Sequence, residues 1–180
     1  IAATAALVLG TVSGVSAATK TLTVGLVADL TSWAAADSEF GNRNLPYQAV
    51  YDTLIIRKPD GSYIPNLATK WTWSGGGNML SLNLRKGVTF SDGAKFDATV
   101  AKANLDAFIN GNGPYSTTLA GAAVAVIDPY TVRISLGSAN PDLLYYLATT
   151  DSYMASPNAI GTAALKTKPV GSGQIGRAHV

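Results

Sequence analysis

The stretch from Trp71 to Leu84, WTWSGGGNMLSLNL, constrains the fold more than any other part of the chain. Trp71-Thr72-Trp73-Ser74 and the run from Met79 to Leu84 alternate apolar and polar residues, the period of a strand with one buried face. Between them stands Gly75-Gly76-Gly77-Asn78. Glycine reaches positive φ at little cost, so the chain can reverse there and close an antiparallel β-hairpin. On that hairpin Leu80, Leu82 and Leu84 share one face, and Ser81 and Asn83 share the other. Trp71 and Trp73 project on one side of their strand, and packing in a core outweighs a ligand platform for them.

The flanking segments alternate hairpins with helices. Ala122 to Ile127 and Thr131 to Leu136 read as two strands of a second hairpin around Asp128-Pro129. Thr21 to Val27 and Thr53 to Lys58 read as further strands, the latter followed by the turn Pro59-Asp60-Gly61-Ser62. Asn44 is expected to cap a short helix that starts near Leu45 and Pro46, with Leu45, Tyr47, Val50, Tyr51 and Leu54 as its buried stripe. Asp97 is expected to cap a helix from about Ala98 to Ile109, apolar along Val100, Ala101, Leu105 and Phe108 and ended by Gly111. Pro141 opens a helix over Asp142 to Ala148, and Tyr153-Met154-Ala155 reads as a last short strand. No repeat runs at a solenoid period. Antiparallel hairpins mixed with helices make an α+β chain.

Composition removes several chemistries. The 180 residues include no Cys, which excludes thiol catalysis, disulfides and thiolate metal sites. The single His is His179, next to the last residue, so a Ser-His-Asp triad or a His-ligated metal has almost nothing to draw on. Thirteen Lys and Arg against 11 Asp and Glu give a net charge of +2 without a basic cluster, and no nucleic-acid partner is expected. Gly75-Gly76-Gly77 lacks the Lys-Ser/Thr and the strand-to-helix context of a phosphate loop. Asp92 and Asp97 are the nearest thing to a carboxylate pair for a hydrolase, but a turn and a helix cap account for them. No catalytic residue, metal site or cofactor is assigned.

The two ends read differently from the middle. Residues 1–18, IAATAALVLGTVSGVSAA, carry no charge and end in Val15-Ser16-Ala17, the pattern of a partial secretory signal peptide with cleavage after Ala17 or Ala18. Residues 174–180 read as a tail foreign to the domain. The codons ATC GGA AGA GCA CAC GTC would encode Ile175 to Val180 and match the start of a common sequencing adapter, and without Arg177 the charge falls from +2 to +1.

Taken in order, the segments between these ends resemble one family. Tyr51-Asp52-Thr53-Leu54, Pro65-Asn66-Leu67-Ala68 through Trp71, and Leu84-Arg85-Lys86-Gly87-Val88-Thr89-Phe90 with Ser91-Asp92-Gly93 carry the resemblance. Asp128-Pro129-Tyr130-Thr131-Val132, Ser156-Pro157 and Pro169-Val170-Gly171-Ser172-Gly173 extend it. Together they are similar to the N-terminal part of the family 5 extracellular solute-binding proteins, the peptide- and nickel-binding components of ATP-binding-cassette importers. The first loop departs from the family, with Trp33-Ala34-Ala35 where Leu-Asp-Pro is common.

The resemblance implies the N-terminal part of a two-lobe, type II periplasmic-binding-protein fold with a hairpin-rich extra domain. Residues 19–50 would begin lobe I, 51–155 would form the extra domain, and 156–173 would return to lobe I. It implies a non-enzymatic protein of the periplasm or cell envelope that captures a peptide or similar small solute and delivers it to a membrane permease, as a monomer at full length. It also implies ligand contacts at Glu39, Phe40 and Gly41, where peptide binders run backbone and an acid along the ligand, and at Tyr115 after Pro114, where they place an aromatic. Trp33 and, more weakly, Asp29 join that set. The rival readings are a secreted carbohydrate-binding or adhesion module built on Trp71 and Trp73, and a secreted hydrolase using Asp92 and Asp97.

Overall fold

The computed structural model describes residues 25–26, 30–38 and 44–173. Both terminal segments, Asp29, and Glu39, Phe40 and Gly41 lie outside the described residues. Of the strand expected over Thr21 to Val27, only Gly25 and Leu26 are described, and both are exposed.

The two hairpins join into one antiparallel sheet. Strands β3 (Ala68–Ser74), β4 (Met79–Leu84), β5 (Ala123–Asp128) and β6 (Thr131–Ser135) lie in the order β3-β4-β6-β5. Gly75, Gly76 and Gly77 take φ of 60°, 69° and 91°, so the loop between β3 and β4 requires the glycines found there. Trp73 pairs with Leu80, Leu80 with Ile134 and Ile134 with Val124, so one row of apolar side chains crosses all four strands. The next row begins Trp71, Leu82, Val132. Leu80, Leu82, Val132 and Ile134 are fully buried, each contributing roughly 1.5–3 kcal/mol by leaving water. Trp71 and Trp73 are half-buried and pack against this core, which removes the flat exposed platform that a sugar-binding face would need. A smaller two-stranded sheet, β1 (Ile55–Arg57) with β2 (Tyr63–Pro65), precedes it.

Helix α2 (Ala98–Ile109) covers the apolar face of β5 and β6. Asp97 caps it as expected, its Oδ1 accepting the Val100 N–H at 2.9 Å. Val100, Ala101, Leu105 and Phe108 are buried. Its end differs from the expectation of a glycine stop. Asn110, in right-handed conformation, donates its N–H to the Asp106 carbonyl, and its side-chain amide donates to the same oxygen. Gly111 serves close approach instead: a Cβ there would lie 2.9 Å from the Ala107 carbonyl oxygen and 3.5 Å from Ala36.

A second, smaller core gathers Ala35, Tyr47, Val50, Tyr51, Tyr153, Ala155, Ala159 and Leu165. Helix α1 (Asn44–Val50) supplies part of it. Asn44 is the first helical residue rather than its cap, and Leu45 points to solvent, 54% exposed. The rest of the expected stripe, Tyr47, Val50, Tyr51 and Leu54, is buried, and Tyr47 stacks with Tyr51 at 6.4 Å and with Tyr153 at 5.7 Å, while Tyr51 meets Tyr153 tilted at 6.2 Å. Their hydroxyls reach the Ser32 carbonyl, the Trp33 carbonyl and Asn44 Oδ1. Burial pushes the Tyr51 and Tyr153 hydroxyls well above the usual phenol range, so both stay donors. Helix α3 (Leu143–Leu147) is shorter than expected, and Tyr153 to Ala155 makes only one bridge, Ala155 to Gly171, instead of a strand.

Short polar links tie the two cores together. Asp92 accepts from Ser156 Oγ at 2.6 Å and Asn158 Nδ2 at 3.1 Å, and Asp52 accepts from Ser172 Oγ at 2.8 Å. These partners, with its own Ala94 turn, hold the Asp92 carboxyl below its ordinary value against a desolvation that raises it. The Ser91 N–H donates to the Gly171 carbonyl at 3.0 Å. Asp92 and Asp97 thus serve a junction and a cap, and the hydrolase reading loses both of its acids. Among the described residues no helix is long and apolar enough to cross a membrane.

Candidate ligand-binding site

A half-open cavity of about 370 Å³ lies at the seam between the cores. The 3-10 turn Ala35–Asp37 forms one side and the last turns of α2, Asn104 to Phe108, form another. The 3-10 turn Thr150–Ser152 and the segment from Ile160 to Lys166 complete it. Small and aliphatic residues dominate the wall, and a few polar groups punctuate it, the composition of a small-solute site.

Local bonding fixes each polar group. Ser32 Oγ donates to Asp37 Oδ2 at 2.9 Å and accepts the Ala34 N–H at 3.0 Å, setting the turn that presents Asp37. Ser38, fully buried, donates to the Thr150 carbonyl at 3.3 Å and docks that turn beside Asp151. Asn104 is satisfied on both sides. Its amide donates to the Val100 and Ala155 carbonyls at 3.0 and 2.9 Å, and its Oδ1 accepts the Ala155 N–H at 2.8 Å. Asp151 is 2% exposed and accepts from the hydroxyls of Thr118 and Thr150. Burial pushes its carboxyl up to about 6, more strongly than the two hydroxyls pull it down. Among the described residues neither Asp37 nor Asp151 forms an ion pair.

Of the residues expected at a ligand, the two that are described, Tyr115 and Trp33, do not line this cavity. Tyr115 is half-buried against the larger core, and its carbonyl accepts the Thr118 N–H at 3.0 Å. Thr118 in turn holds Asp151, so the Tyr115 loop and the cavity acid are one connected unit. Gly113 abuts the 3-10 turn so closely that a Cβ would collide with the Ala36 carbonyl, which brings the Pro114-Tyr115 loop beside the chain that leads to Glu39. Trp33 belongs to the second core. It meets Tyr47 edge-on at 6.0 Å, and its carbonyl accepts the Tyr51 hydroxyl at 2.7 Å. Glu39, Phe40 and Gly41 lie outside the described residues. Asp37, Asn104 and Asp151 were not legible as site residues. The available signal was an Asp in the otherwise uncharged run from Leu143 to Ala155. Among the described residues no group of three or more His, Cys, Asp or Glu side chains gathers as a metal site.

Residues 62–174 match the family described as bacterial extracellular solute-binding proteins, family 5, middle region. The glutathione-binding protein GsiB of Salmonella paratyphi A is 30% identical over 174 residues, covering 92% of this chain and 34% of that protein. The crystal structure of NikA from Brucella suis in complex with Fe(III)-EDTA superimposes with a TM-score of 0.69 at 30% identity, over 80% of this chain and 30% of that one. The ABC transporter-associated periplasmic binding protein DppA of Helicobacter pylori, in complex with the peptide STSA, gives a TM-score of 0.71 at 24% identity, over 81% and 34%, a likeness of fold. The chain spans about a third of the length of these relatives.

Proposed function

This chain belongs to the bacterial extracellular solute-binding proteins of family 5, and from that premise we propose that it captures a small solute, a peptide foremost, for an ATP-binding-cassette importer. Its fold is part of the type II periplasmic-binding-protein fold, and it is a protein of the periplasm or cell envelope. The relatives are substrate-binding proteins, and the proposed role needs no chemistry from this chain. A protein of the relatives' length would close a second lobe over the solute, act as a monomer, and present the closed form to a membrane permease, whose ATPase supplies the energy.

The observation that carries this reading is the cavity at the seam of the two cores, small-walled and held by Asn104, Ser38 and Thr118. The two cores also support the division read from the sequence. The larger core draws on residues 54–154, within the extra domain, and the smaller joins Ala35, Tyr47 and Val50 to Ala159 and Leu165, as lobe I would, with Tyr51, Tyr153 and Ala155 added from the two ends of the extra domain. Within this frame Glu39, Phe40, Gly41 and Tyr115 are proposed to approach the solute at the rim of the cavity, and Trp33 is proposed to support that rim through Tyr47.

A thermal-shift panel on the full-length gene product tests the function. Short peptides should raise its Tm; a ligand at 100 times its Kd adds about 2.7 kcal/mol. Nickel chelates and sugars should give smaller shifts. No shift with any solute would overturn the transport reading, and a shift with nickel chelates alone would move the solute from peptide to metal complex.

A further inference from the structure

The least economical residue in the structure is Asp151. It is almost wholly removed from water, yet its partners are two neutral hydroxyls. A buried carboxylate without a countercharge is costly to a fold, and proteins retain such groups where something else supplies the charge. Asp37 lines the same cavity from the neighbouring 3-10 turn Ala35–Asp37, held by Ser32 and likewise without an ion pair among the described residues. Lys166, the basic residue of the cavity wall, is exposed and pairs with neither acid among the described residues. The rest of the wall offers methyl groups, notably Ala107, Ala155 and Ala163, with Phe108 behind them. The cavity therefore combines an apolar lining with negative charge that has no ion-pair partner among the described residues.

We propose that this cavity is a subsite for the ammonium group of a small aliphatic amine, with Asp151 as its countercharge, Asp37 as a second acceptor and the alanine wall holding the carbon chain. This rests on the reading of the seam as part of a solute site. It adds which end of a solute enters: a cationic amine rather than a carboxylate or an anionic chelate. The hydroxyls of Thr118 and Thr150 orient the Asp151 carboxylate and leave lone pairs for an N–H donor. Charge-assisted N–H···O bonds of this kind are about twice as strong as neutral ones.

The test uses the 180-residue chain and three probes of matched shape: n-butylammonium chloride, sodium butanoate and neutral 1-butanol. Amide resonances of Asp37, Thr150, Asp151 and Ala163 are followed by NMR during titration at neutral pH. n-Butylammonium should shift them saturably in the millimolar range, roughly what so small a ligand reaches, while butanoate leaves them unmoved and butanol acts weakly. Asp151→Asn should raise the n-butylammonium Kd about tenfold or more, as loss of a charged hydrogen bond does. Ala107→Leu, which fills the wall without touching either acid, should abolish the shifts. Equal response to butanoate and n-butylammonium, no response to either, or an Asp151→Asn variant that binds as the parent does would overturn the proposal. If Asp151→Asn does not fold, Asp37→Asn carries the same comparison, with unchanged affinity as the overturning result. No transported solute enters this measurement, so its failure leaves the thermal-shift result on the full-length product to stand or fall separately.

Discussion

Asp151 sets the pH dependence of this chain at the scale of one residue. Its folded-state carboxyl titrates near 6 against an ordinary value of 3.8, with burial as the main cause. A raised folded pKa stabilises the protonated fold. That contribution is complete below about pH 4 and is lost as pH rises through 6, on the order of 3 kcal/mol for a shift of this size. Asp151→Asn should therefore raise Tm at pH 7.5 and have much less effect at pH 4, read by thermal denaturation at the two pH values. The same substitution should weaken amine binding, so stability and binding should move in opposite directions. A residue kept only for packing would not show that opposition. The site is legible in the sequence only in part at this scale. Tyr115 could be singled out beside a proline, but the isolated Asp151 owes its role to the burial that tertiary packing imposes.

At the scale of elements, local rules explain α2 well. The Asp97 cap, the apolar positions at Val100, Ala101, Leu105 and Phe108, and the span to Ile109 follow from residue chemistry near each position. Asp97→Ala should cost about 1 kcal/mol in denaturant unfolding, with α2 amides exchanging faster at its first turn. The sheet hairpins are equally legible, since alternation and the Gly75-Gly76-Gly77 turn specify both the reversal and the buried face. Helix α1 is where local reading succeeds only in part. Tyr47, Val50, Tyr51 and Leu54 of the expected stripe are buried, but Leu45 is left in solvent because Tyr153 and Trp33 pack on the side of Tyr47 and Tyr51. The expected strand at Tyr153 to Ala155 fails for a related reason. Those residues bond to Asn104 and Asp52 instead of to a long partner strand.

The whole molecule depends on a small number of polar junctions between two cores. Asn104 is the most demanding of them, because Ala155 exchanges both its N–H and its carbonyl with that one side chain. Asn104→Ala should leave both groups buried and unpaired, at roughly 1–3 kcal/mol each. Hydrogen exchange should then accelerate in residues 153–165 while β4 and β6 stay protected. Uniform acceleration across both regions would instead mean that the two cores unfold as one. The seam that Asn104 holds is also the floor of the cavity, so this variant should lose n-butylammonium binding along with the local protection.

The sequence alone determined the hairpins, the capped helix, the lack of any thiol in these 180 residues, and the family resemblance that membership bears out. Each of these rests on side-chain period, backbone preference or residue inventory, which act over a few neighbours. The tertiary structure alone decided that Gly111 and Gly113 serve close packing against Ala36, that Asp92 and Asp52 bind the returning chain, and that Asp37 and Asp151 line one cavity. Those facts join residues from 64 to 120 positions apart on the chain, and their energies come from exclusion of water at a seam that exists only when both cores have formed.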